Sequence, residues 1–197
     1  MTRTNSASRQ QQILEALARM LETEHGQRIT TAALAREVGV SEAALYRHFP
    51  SKTRMFEGLL DFIESTVFPR ITTILSEEAT TESRCFHILT LLLAFAERNP
   101  GISRVMNGDA LTGETARLRS HVNQLFERVE TQLRQVMREG EVKEQLRLAL
   151  PPGSVSRLLM TAVEGRLSQF VRSEFKRLPT EHWSEHWQIL TKSLFQP

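Results

Sequence analysis

Apolar residues recur along this chain at the three- and four-residue spacing of helices, and no convincing strand pattern appears. Ile13, Leu14, Leu17 and Leu21 make a first stripe, ended by His25-Gly26. Leu34, Ala35 and Val38 make a short one before Gly39, and Leu45 and Phe49 another before Pro50. Phe56, Leu59, Leu60, Ile63, Val67, Ile71 and Ile74 predict a long helix that starts at a Ser51 cap and is kinked by Pro69. Residues 85–96 are apolar nearly all round, the mark of a buried central helix, and end at Asn99-Pro100-Gly101. A short helix up to Gly108 follows. Leu118, Val122, Leu125, Phe126, Val129, Leu133 and Val136 then predict a long amphipathic helix. Residues 140–153 read as a linker. Helices at about 153–176 (Val155, Leu158, Leu159, Ala162, Val163, Leu167, Phe170, Val171) and 181–195 (Trp183, Trp187, Leu190, Leu194) close the chain. The expected fold is all-α: a three-helix unit over residues 1–54 and a helical regulatory and dimerisation domain over residues 55–197.

Charge adds an asymmetry. Residues 1–55 hold eight Lys/Arg against five Asp/Glu, and residues 56–197 seventeen against eighteen. The positive end is where an anionic partner would bind. The single cysteine, Cys85, forbids an intramolecular disulfide and fits a reducing cytoplasm. The N-terminus has no apolar signal core. The most apolar run is about a dozen residues, against the roughly 20 that a membrane-spanning helix needs. The expectation is a cytoplasmic protein with no membrane partner.

The informative segment is Thr30 to Lys52, TTAALAREVGVSEAALYRHFPSK. Gly39 can take the positive φ of a tight turn, and Ala35, four residues earlier, lets two short helices cross closely. Ser41 caps the second helix. This is helix-turn-helix geometry, with Ser41 to His48 as the recognition helix in the major groove of double-stranded DNA. The expected DNA-binding residues are Thr30, Thr31, Ser41, Glu42, Ala43, Tyr46, Arg47, His48 and Lys52. Thr30 and Thr31 start the first helix of the pair, where hydroxyls and free backbone N–H groups can hold a phosphate. Lys52 is placed to meet the backbone. Arg3 and Arg9 could reach a neighbouring groove or phosphate.

The run ITTAALAREVGVSEAALYRHFPSK, and LYRHFPSK above all, resembles the TetR family of bacterial regulators. The resemblance implies a TetR-like fold: three N-terminal helices for DNA and about six more, of which the last two long ones pair with their copies across a two-fold axis. The segments VGVSEAALYRHFPSKTRMF, LLLAFAERNPG, NQLFERVETQLRQVMRE and FVRSEFKRLPT resemble the nucleoid-occlusion branch of that family. That branch implies a nucleoid-associated homodimer, singly or as paired dimers on palindromic sites, that inhibits assembly of the division GTPase FtsZ. Its groove for the FtsZ C-terminal tail carries over to Phe62, Arg70, Leu91, Arg98 and Asn99, an apolar floor with a cationic rim. Two features depart from the pattern: the N-terminal arm NSASRQQQ is less basic, and Ala94 stands where a glycine is expected. The rival reading is a small-molecule-responsive TetR-type repressor, its ligand pocket lined by polar residues such as His87 and His121.

Other motifs are weaker. Gly108 to Thr115 imitates a phosphate-binding loop but has Glu114 where the lysine should be, and no strand precedes it. His182 and His186 would share a helix face, as metal ligands can, but no third ligand is evident nearby. Cys85 reads as core. No hydrolase, dinucleotide or zinc-protease motif is present. The expectation is therefore no enzyme, no catalytic residues, no metal and no cofactor.

Overall fold

The computed structural model describes residues 2–24 and 29–196, with side chains over 9–24 and 29–195. The His25-Gly26 stop and the Arg3 side chain lie outside these. Among the described residues there are nine α-helices: α1 (Thr2–Thr23), α2 (Thr31–Val38), α3 (Glu42–His48), α4 (Lys52–Glu77), α5 (Thr81–Arg98), α6 (Pro100–Asn107), α7 (Ala116–Lys143), α8 (Pro152–Arg172) and α9 (Trp183–Leu194). No described helix is long and apolar enough to cross a membrane.

The chain forms two compact units. One is built from Met1–Ile63 and Asn99–Val122, the other from Glu64–Arg98 and Asn123–Pro197. In the first, Ile13, Leu17, Leu34, Leu45, Phe56 and Leu59 are buried, so the stripes of four helices meet in one core. α6 joins them because Gly101 has no side chain. A Cβ there would lie 1.9 Å from the Ala18 carbonyl oxygen. One turn on, the buried Arg104 donates to the carbonyls of Leu21 (2.9 Å) and Glu24 (3.1 Å) and pairs with Asp109 at 2.7 Å. A guanidinium thus supplies donors at the C-terminal end of α1, where helical carbonyls lack partners.

In the second unit, Cys85, Ile88, Leu89, Leu92 and Leu93 of α5 have no solvent exposure, and α8 and α9 pack against that helix. Trp183 donates its indole N–H to Thr90 at 2.9 Å, which gives a buried aromatic a polar partner. Glu144 accepts from the Thr81 amide (2.9 and 3.0 Å) and hydroxyl (2.8 Å), supplying the start of α5 with an anionic acceptor.

α4 is one continuous helix with Pro69 inside it, and Thr72 and Thr73 donate their hydroxyls to the carbonyls of Phe68 and Pro69. Two expectations change in detail. The 140–153 linker is partly ordered: α7 reaches Lys143, and Arg147–Leu148 (β1) pairs antiparallel with Phe195–Gln196 (β2). His182 precedes α9 in the left-handed conformation (φ 55°) rather than sharing its face with His186.

Candidate nucleic-acid interface

The turn between α2 and α3 is built as its residue types require. The Thr30 side chain caps α2 by accepting from the Ala33 amide at 3.1 Å. α2 ends at Gly39, with φ 74° in the left-handed region that glycine enters without penalty. The Val40 amide reaches back to the Ala35 carbonyl at 2.9 Å. Ser41 then caps α3 by accepting from the Ala44 amide at 3.2 Å. Leu34, Ala35 and Leu45 are buried on the inner side of the pair. With three inner positions buried, the orientation of α3 is fixed by packing, and its outer residues are left to face a partner.

Those outer residues are Glu42, Ala43, Tyr46 and Arg47, all exposed, with His48 half-buried. The His48 carbonyl accepts from Gln10 Nε2 at 3.2 Å, which ties the last turn of α3 to α1. A hydrogen-bond chain crosses the turn. Thr31 donates to Glu42 Oε2 at 2.9 Å, and the Tyr46 hydroxyl lies 3.4 Å from Thr31 Oγ1. The sequence carried no sign of this chain, because Thr31 and Glu42 are eleven positions apart.

Lys52 has an acid as partner. Its Nζ lies 2.7 Å from Glu114 Oε1 and 5.5 Å from the centre of the Phe56 ring, and the two charged side chains are 19% and 7% exposed. The glutamate that spoils the phosphate-loop imitation is thus the residue that holds this cation. Glu57, in the second turn of α4, is bracketed by Arg54 (2.8 Å) and Arg117 (3.0 Å). Arg9 is exposed on α1.

Of the five expected groove residues, the first unit carries two. Half-buried Phe62 and Asn99 line a cavity of about 180 Å³ with Leu14, Ala18, Leu59 and Ile102. Arg70 and Arg98 are exposed and Leu91 half-buried, all in the second unit, as is half-buried Ala94. On α8, exposed Leu158 and the open space above Gly165 leave an uncovered apolar and small-residue face; on α9, Ile189 is 66% exposed. His186 is engaged by Arg166, whose guanidinium also donates to the carbonyls of Pro179 and Glu181. The described residues contain no group of three potential metal ligands around this histidine pair or elsewhere.

Residues 13–59 match the model of the bacterial regulatory proteins of the tetR family, and residues 78–195 that of the tetracyclin repressor-like, SlmA-like C-terminal domain. The nucleoid occlusion factor SlmA of Idiomarina loihiensis is 57% identical to this chain, over 95% of each. That of Shewanella woodyi is 58% identical over 96% of each. The chain belongs to the nucleoid occlusion family of TetR-type regulators.

The solved structures show how widely this fold is shared. A TetR transcription regulator from Haloarcula marismortui superposes with a TM-score of 0.80 at 20% identity, covering 96% of this chain and all of that one. The FadR regulator of Bacillus subtilis, solved with stearoyl-CoA, gives 0.78 at 14% identity, over 93% and 98%. At such identities the likeness is one of fold. The nucleoid occlusion assignment comes from the sequence relatives, whose similarity runs through both units.

Proposed function

We propose that this chain is a DNA-bound inhibitor of cell division. As a homodimer it occupies palindromic chromosomal sites, and there it opposes FtsZ assembly by holding the FtsZ C-terminal tail. The observation that carries the reading is identity of 57–58% sustained over 95–96% of the chain, well beyond the helix-turn-helix, with relatives named as nucleoid occlusion factors.

The DNA half of the proposal rests on the outer face of α3, with Tyr46 and Arg47 exposed and Ser41 and Thr30 setting the two helix starts. Dimerisation through α8 and α9 is supported by the exposed Leu158 and Ile189. A two-fold dimer would present its recognition helices about 34–36 Å apart, on successive major-groove faces. The tail-holding half rests on the family resemblance, which carries over Phe62 and Leu91 as apolar contacts and Arg70, Arg98 and Asn99 as cationic and polar ones, suited to an extended segment of mixed apolar and acidic character. Identity with the relatives that runs through both units favours this reading over a ligand-responsive repressor.

The test is binding of an FtsZ C-terminal tail peptide to the purified protein, with and without a duplex selected from genomic DNA. Saturable binding that site DNA strengthens and Arg70→Glu abolishes is the expected result. Firm DNA binding with no response to peptide or full-length FtsZ would leave a TetR-type repressor instead.

A further inference from the structure

We propose that Glu42 is the base-specificity determinant of the recognition helix and that Thr31 and Tyr46 are its positioning residues. Its carboxylate accepts from the N4 amino group of a cytosine in each half-site. The inference rests on the DNA-binding reading above and assigns roles within it.

The Thr31 hydroxyl has one proton, and it is donated to Glu42 Oε2 at 2.9 Å. Its lone pairs face the Tyr46 hydroxyl at 3.4 Å, which has the proton to give. The direction of donation therefore runs from Tyr46 to Thr31 to Glu42. With its proton committed, Thr31 has only acceptor capacity left, and a phosphate oxygen has no use for that. The relay moves Thr31 from holding phosphate to orienting a carboxylate.

Glu42 is the first residue of α3 and is exposed. No described residue is seen donating to its other oxygen, Oε1. A carboxylate on a helix that enters the major groove is repelled by phosphates on both sides, so every duplex pays for its presence. That cost is offset only where the groove offers a donor. Cytosine N4 is the donor that Glu and Asp read there, whereas guanine presents acceptors. The relay restricts the rotamers of Glu42 before DNA arrives, so less ordering is left to do on binding. The charge thus acts twice: it attracts one base edge, and it lowers affinity for all the sequences that lack it.

The experiment is a position-by-position affinity scan. A duplex is selected from a random pool with the wild-type protein, and each base pair is then substituted singly. For the wild type, one cytosine per half-site is expected to be worth about tenfold or more, the usual scale of a specific contact. In Glu42→Ala that position should cost less than about twofold, and affinity for mixed-sequence duplex should rise. Glu42→Gln should move the preferred base there from cytosine to adenine, which amides read through N6 and N7. Thr31→Val should weaken discrimination at the same position, and Thr31→Ser, which keeps the hydroxyl, should restore it. Discrimination in Glu42→Ala that matches the wild type at every position overturns the assignment. Wild-type discrimination in Thr31→Val removes the relay. A wild-type protein that selects no duplex at all defeats the DNA-binding reading itself, a different outcome from either.

Discussion

Gly101 and Cys85 show what burial does to single residues. A methyl at 101 would lie 1.9 Å from the backbone oxygen of Ala18, and a backbone atom cannot swing aside as a side chain can. Gly101→Ala is expected to cost at least about 2 kcal/mol, on the scale of core overpacking, and to lower the melting temperature by several degrees. A thermal melt with an unchanged midpoint would contradict the close approach. Cys85 is fully buried, and desolvation, aided by nearby Glu144, pushes its thiol up from 9.0 to about 12. The native thiol should therefore resist an aromatic disulfide reagent at pH 8 and react once the protein is unfolded. The unfolded thiol ionises from about pH 9 while the buried one keeps its proton. This group's contribution is thus fully present below pH 9 and is lost as pH rises towards 12. On the outer face of α3, Arg47→Ala should weaken binding to the selected duplex while leaving the fold and the state of association unchanged, as gel-shift titration beside sedimentation would show.

The helices themselves were largely legible in the sequence, because amphipathic stripes, glycine stops and serine or threonine caps are local signals. Gly39 takes its left-handed turn and Ser51 Oγ accepts from the Arg54 amide at 3.2 Å, as the chain order alone suggests. Contacts that join distant positions were not legible. Glu144 at the end of α7 holds the start of α5 across 63 residues, and Lys52 meets Glu114 across 62. Neither pairing leaves a periodic trace. The β1–β2 pair escaped for the same reason: two residues are too short to show alternation. Glu144→Ala removes the acceptor for the Thr81 amide and hydroxyl, and about 1–2 kcal/mol of stability should go with it, as at other helix starts. Amide exchange should accelerate first in the opening turn of α5. Uniform acceleration across the protein would show that the contact does not act locally.

Association and charge operate on the molecule as a whole. If α8 and α9 form the dimer seam, Ile189→Glu places a carboxylate in an apolar interface and should yield monomers by sedimentation. Affinity for a full palindrome should then fall much further than affinity for a half-site, because the second head is no longer tethered to the first. A variant that stays dimeric would move the seam elsewhere. The small positive excess of residues 1–55 should show as affinity that declines linearly with the logarithm of salt.

The unit that contains the recognition helix is assembled from two separate stretches, Met1–Ile63 and Asn99–Val122. Its inner helix α1 relies on the second stretch for the guanidinium at its end and for the contact at Ala18. The DNA-reading head is therefore not a detachable cassette. A chimera that borrows only the leading stretch from a relative would inherit mismatched partners at both points, whereas one that also carries α6 would not.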